Sequence, residues 1–157
     1  VLFNKNKIAT VMKHIPGHGS ANKDSHLKLP VINEKKINLL KKDFYTFKNN
    51  KSFFAMTAHV LYKEIDPINC ATLSKPIIKN IIRKNIGFQG ILISDDISMK
   101  SLNKSIALNA KNALDAGCNL ILHCNGNINE MIKLSKIIPY IDDFTMKKSS
   151  EFFEFLS

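Results

Sequence analysis

Lys13-His14-Ile15-Pro16-Gly17-His18-Gly19, followed by Asp24-Ser25-His26, gathers three histidines with lysine and aspartate around proline and glycine breaks. A regular helix or strand has no need of this mixture. A backbone held in a fixed shape at the end of a strand, presenting ionisable groups, does. Glycine there permits positive φ or a close approach of backbone to ligand. A second stretch answers the first: Ile91-Leu92-Ile93-Ser94 is apolar enough for a buried strand and runs into Asp95-Asp96. Imidazole titrates near neutrality, and a neighbouring carboxylate fixes its tautomer, so His/Asp pairs suit proton transfer. Two strand ends carrying His/Asp and Asp/Asp groups point to one site built from loops on one side of a parallel sheet.

The elements that must position these groups can be read from periodicity. Lys7 to Met12 is strand-like, and a loop is expected from Lys13 to about Ile32, long for a strand-to-helix connection. Asn33 is a candidate cap for a helix to Lys48 carrying Ile37, Leu40, Phe44 and Phe47. Phe53 to Thr57 reads as the next strand, with His59 at its end. Ser74 caps a helix with Pro76 in its first turn, buried Ile77, Ile78, Ile81 and Ile82, and Gly87 as its stop. After the strand at Ile91–Ser94 come a helix over roughly 104–116 ended by Gly117, a strand at 119–122 ending in His123, a helix closed by Pro139, and a last helix over 144–156. Four β-loop-α units in a row predict a parallel sheet with right-handed crossovers. The strands are apolar on both faces, and polar residues gather at their C-terminal ends, as at the active face of a (β/α)8 barrel.

The chain has 157 residues, 45% hydrophobic and 23% charged, which suits one soluble domain, here 1–157. No apolar run approaches the roughly 20 residues that span a membrane, so no membrane partner is expected. The net charge of +10 comes from scattered lysines rather than a stripe interleaved with aromatics, so nucleic acid is not expected either. Cys70, Cys118 and Cys124 lack metal-site spacing and read as reduced thiols. The first residue is Val1 rather than Met, which leads to the expectation of a trimmed or partial chain.

Taken in order, Lys13-His14-Ile15-Pro16-Gly17-His18-Gly19, Asp24-Ser25-His26, Leu29-Pro30, Thr57-Ala58-His59-Val60, Ala71-Thr72-Leu73-Ser74, Gly87-Phe88-Gln89-Gly90, Ser94-Asp95-Asp96-Ile97-Ser98-Met99 and Ala116-Gly117-Cys118-Asn119 resemble the family 3 glycoside hydrolases, in particular their bacterial β-N-acetylhexosaminidases. The likeness spans about residues 8–126. Ile15 and Ile97 are mild apolar departures from Phe and Leu. The resemblance implies a TIM (β/α)8 barrel, of which this chain holds about the last four βα units. It implies a cytoplasmic enzyme that removes terminal β-linked N-acetylglucosamine from muropeptides in peptidoglycan recycling. It makes Asp95 the nucleophile, His26 the general acid/base, Asp24 the group orienting His26, and Lys13 and His14 the ligands of sugar hydroxyls.

The chemistry agrees with those implied roles. A carboxylate at a barrel strand end can attack an anomeric carbon. Asp24 and His26, two apart on extended chain, can point to one side. No cofactor is implied, since this hydrolysis needs only two catalytic groups and water. Asp96 is the likelier cap of the following helix, and His18, His59 and His123 are expected to be structural or lining. The family's first four units are absent, so the missing half, self-association or a larger chain is expected to close the barrel. The competing expectation is an inactive piece of that enzyme. A lesser one is a zinc hydrolase drawing ligands from His14, His18, Asp24, His26, His59, Asp95 and His123.

Overall fold

The computed structural model describes residues 2–21 and 28–157. In chain order the elements are α1 (Leu2–Lys5), β1 (Val11–Ile15), β2 (Val31–Ile32), α2 (Lys36–Lys41), β3 (Phe54–Thr57), β4 (Leu61–Tyr62), α3 (Ile77–Ile86), β5 (Ile91–Asp96), α4 (Ile106–Ala116), β6 (Leu120–Leu122), α5 (Ile128–Ile137) and α6 (Asp143–Leu156). Strands β1, β3, β5 and β6 form one parallel sheet in that order, while β2 and β4 pair as a short parallel ribbon. This is the α/β architecture expected, four successive strands with crossovers, open at β1 and β6 among the described residues.

Register decides which residues face the helices. Met12 pairs with Ala55 and Ala55 with Leu92, and these three pack in one core with Ile77, Ile78, Ile81 and Ile82 of α3 and Ala113 and Ala116 of α4. The alternate set, Val11, Phe54, Met56 and Ile93, lies on the other face, where Val11 is 44% exposed. Strand alternation puts buried Ser94 on the helix side and Asp95 on the open side.

Helix ends obey their local signals. The Ser74 hydroxyl accepts the Ile77 N–H at 3.3 Å and donates to Asp66 at 2.7 Å. Gly87 stops α3 at φ +82 and Gly117 stops α4 at φ +118. Helix α4 begins at Ile106 with Ser105 as its cap, slightly later than periodicity suggests.

Three expectations need correction. Strand β1 is Val11–Ile15 and not Lys7–Met12, because β3, its only partner among the described residues, starts at Phe54 opposite Val11. Lys13 and His14 therefore lie within the strand, at the register shift between Met12 and Ile15, rather than in the loop after it. The peptides Lys13–His14 and Ile15–Pro16 are both cis. Second, Asn33 caps nothing: α2 starts after Lys35 with no side-chain cap and breaks at Lys42, so helical phase is lost. Leu39 and Phe44 fill the core while Ile37 is 55% exposed. Third, part of the supposed loop around Ile32 is strand β2 against β4.

Candidate active site

Strand β5 ends in Asp95, whose side chain is only 12% exposed. Its backbone N–H donates to Thr57 Oγ1 at 3.1 Å, and its Oδ1 accepts the Asp96 N–H at 2.9 Å. His14 Nε2 stands 3.9 Å from Asp95 Oδ2, across the sheet from β1. Burial holds the His14 imidazole below the ordinary value of 6.5; Asp95 opposes this, while Lys13, His18 and His59 add to it. His14 is thus poised as a neutral hydrogen-bonding group beside a carboxylate.

Asp96, next in sequence, has a different task. Its carboxylate accepts the Ser98 N–H at 3.0 Å, the Ser98 hydroxyl at 2.8 Å and the Cys124 N–H at 3.1 Å. It turns the chain out of β5 and ties that exit to the end of β6, and it does not cap the following helix as expected, because Ser105 fills that place. With its oxygens engaged in this way, Asp96 leaves Asp95 as the carboxylate available on the open face.

The β1 side is held as firmly. The Tyr62 hydroxyl donates to Gly17 O, and the Tyr62 ring packs on Phe44 at 5.4 Å between centroids. Burial pushes the Tyr62 phenol well above its ordinary range, keeping it a donor. Asp43 accepts the Ser20 hydroxyl at 3.0 Å and the Ser20 N–H at 3.2 Å. Gly17, at φ +139, has no room for a side chain, since an added Cβ would lie 2.8 Å from Asp43 Cβ. His18 lies edge-on to His14 with ring centroids 6.4 Å apart. Asp43 and Tyr62 were not singled out from the sequence, and only a knowledge of how β4 folds against this loop would have found them.

Lys13 is exposed on β1 beside His14. Asp24 and His26 fall within 22–27, outside the described residues. His123 pairs locally through one nitrogen: its Nε2 meets Glu130 Oε2 at 2.8 Å, and Asn125 donates to the same oxygen at 2.7 Å. Among the described residues no three His, Cys, Asp or Glu side chains are grouped to hold a metal ion. Again among the described residues, no helix is long and apolar enough to cross a membrane.

Comparison with known proteins places this arrangement. Residues 3–150 match the model of the glycosyl hydrolase family 3 N-terminal domain. A beta-hexosaminidase of Shewanella frigidimarina is 40% identical over 132 residues, which are 80% of this chain and 38% of that protein. One from Actinobacillus succinogenes is 33% identical over 153 residues, 94% of this chain and 42% of that protein. The chain superimposes on NagZ from Neisseria gonorrhoeae, solved in complex with N-trifluoroacetyl-D-glucosamine, with a TM-score of 0.81 at 28% identity, covering 94% of this chain and 44% of NagZ. It thus spans about two fifths of the length of these curated relatives.

Proposed function

The chain belongs to glycoside hydrolase family 3, and on that premise we propose that it supplies the nucleophile-bearing half of a retaining β-N-acetylhexosaminidase site. The observation that carries this reading is Asp95: its Oδ1 takes the Asp96 N–H, but its Oδ2 accepts no hydrogen bond among the described residues and stands 3.9 Å from His14, whereas both oxygens of Asp96 are engaged. In the proposed reaction Asp95 attacks the anomeric carbon of a terminal β-linked N-acetylglucosamine as His26 gives its proton to the departing oxygen. The glycosyl–Asp95 ester is then opened by water, whose proton His26 takes, and the carboxylate is regenerated. Asp24 orients His26. Lys13 and His14 donate to sugar hydroxyls, a task that suits a cationic group and a neutral imidazole on one strand.

The substrate we propose is a muropeptide fragment and the setting is peptidoglycan recycling in the cytoplasm. The reading further requires four more βα units, from another segment or another copy, to complete the barrel around the sugar. The test is release of nitrophenol from its β-N-acetylglucosaminide by this chain, alone and mixed with the first four βα units of a relative's barrel. The expected result is turnover that gives the β-anomer first, falls by about a thousandfold or more in Asp95→Ala, and returns with azide as an α-glycosyl azide. Unimpaired turnover in Asp95→Ala, or first release of the α-anomer, would overturn the reading.

A further inference from the structure

Behind Asp95 lies a set of buried polar groups that the proposed reaction does not use. Thr57, His59 and Thr72 are each 0% exposed. Thr57 Oγ1 accepts the Asp95 N–H at 3.1 Å and lies 2.9 Å from Thr72 Oγ1. Thr72 Oγ1 lies 2.7 Å from His59 Nδ1, and His59 Nε2 lies 3.0 Å from the carbonyl oxygen of Asp96.

The proton positions in this chain can be worked out. A carbonyl oxygen only accepts, so His59 Nε2 carries the hydrogen and donates to Asp96 O. Burial lowers the His59 imidazole below the ordinary 6.5, against the opposing pull of the Asp96 carbonyl and of the Asp95 and Asp96 carboxylates. The ring is neutral, Nδ1 is an acceptor, and the Thr72 hydroxyl must donate to it. The Ala58 carbonyl is also within 3.1 Å of Thr72 Oγ1. Sending the proton there would leave a buried lone pair on Nδ1 unpartnered, which is unfavourable. With its one proton committed, Thr72 Oγ1 accepts from the Thr57 hydroxyl. Thr57 Oγ1 in turn accepts from Asp95. The order is Asp95 N–H to Thr57, Thr57 to Thr72, Thr72 to His59, and His59 to Asp96 C=O.

We propose that Thr57, Thr72 and His59 are positioning residues: a single directed hydrogen-bond chain that grips the peptide units before Asp95 and after Asp96 and so fixes the direction in which the Asp95 carboxylate points. Its importance for catalysis rests on the reading of Asp95 as nucleophile. The physical logic is that a reacting group tolerates little misplacement, and a closed network with one proton arrangement has no alternative low-energy geometry. The two threonines and the histidine come from β3, the segment after it, and the turn before α3, so the grip links β5 to its neighbours without touching the sugar.

Three readouts test this on the chain as it stands. Long-range 15N–1H spectra of the His59 ring are expected to give the neutral Nε2–H tautomer at pH 7. In Thr72→Val, amide exchange at Asp95 is expected to accelerate by about tenfold or more relative to Leu92 on the same strand, whose N–H is held by Asn119. Thr72→Ser, which keeps the hydroxyl, is expected to restore it. Where the chain turns over, Thr72→Val lowers kcat by about tenfold or more with KM within about twofold, and Thr72→Ser recovers it. A merely structural role would speed exchange at Asp95 and Leu92 alike and would not distinguish valine from serine by kcat at equal folding. An Nδ1–H tautomer, or Asp95 protection unchanged in Thr72→Val, overturns the proposal. Absence of turnover even when the unsubstituted chain is mixed with the first four βα units of a relative's barrel counts against the hydrolase reading instead, and the two spectroscopic readouts still decide the network.

Discussion

Single residues here divide by whether their polar atoms are already engaged. Asp95 and Asp96 are neighbours of identical chemistry, yet one turns a carboxylate oxygen, Oδ2, toward His14 and the other closes a turn with both of its oxygens. The same accounting governs protons. His14 and His59 both sit below the ordinary imidazole value, chiefly through burial. A histidine depressed in the folded state stays neutral while the unfolded chain takes up a proton, so the folded state is favoured above about pH 6.5 and loses stability as pH falls toward the folded values. Carboxylates act in a lower window. Asp66 is held below its ordinary 3.8: burial works against this, but the N–H groups of Asn69 and Ile68 and the Ser74 hydroxyl outweigh it. The expected outcome is a melting temperature that begins to fall between pH 6.5 and 5, before Asp66 contributes, with both ring midpoints below 6.5 in an NMR titration. Midpoints above that value would contradict the assigned environments.

At the scale of elements, the most telling contact is one made by a cation with no acidic partner among the described residues. Arg83 on α3 donates to Phe88 O at 3.1 Å, to Gly90 O at 2.7 Å and to Asn119 Oδ1 at 2.8 Å, with Phe88 and Phe144 ring centroids 5.4 and 5.5 Å from its guanidinium carbon. One planar fork thus joins α3 to the starts of β5 and β6 and to α6. Lysine has one nitrogen and no plane, so Arg83→Lys is expected to cost about 1–3 kcal/mol, read as a drop in denaturation midpoint with the site's chemistry untouched. An unchanged midpoint would show the fork to be dispensable.

How legible such elements were depends on their length. Helices α4, α5 and α6 and strand β5 were readable because periodicity and caps agreed over many residues. Strand β1 was misplaced because Ile8 and Ala9 are as apolar as Val11 and Met12, and only pairing with β3 fixes its start. Helix α2 was overextended because Phe44 and Phe47 keep helical spacing beyond a break that no proline or glycine marks. At the site, the placement of Lys13, His14 and Asp95 near the ends of β1 and β5 was legible. The Thr57–Thr72–His59 chain was not, since its members are spread over the sequence and only burial gives them meaning. The path of α6 was likewise hidden: Phe152 and Phe155 pack on Phe53 and Phe152 on Phe54, while Thr145 accepts from Asn119, so the helix crosses the strand ends opposite the site.

At the scale of the molecule, the sheet sets a problem that its charge partly answers. Strands β1 and β6 are the outer strands, and Val11 on one and Leu120 on the other are 44% and 39% exposed. Unpaired strand edges with apolar side chains invite further pairing. All four strands run parallel, so two copies related by a two-fold axis along the strands could join β6 of each to β1 of the other and close eight strands with no reversal of direction. Opposing this, each copy carries +10, and like charges repel. The two terms separate by ionic strength. The screening length shrinks from roughly 14 Å at 50 mM salt to about 4 Å at 500 mM, which weakens the repulsion while leaving apolar burial intact. The isolated chain is therefore expected to self-associate more strongly as salt is raised, seen as a shift from monomer mass towards dimer or higher in light scattering. Val11→Lys together with Leu120→Lys is expected to hold it nearer monomer mass at the same salt. A monodisperse monomer with a cooperative melt at every salt concentration would mean that the sheet edges are protected by something other than charge.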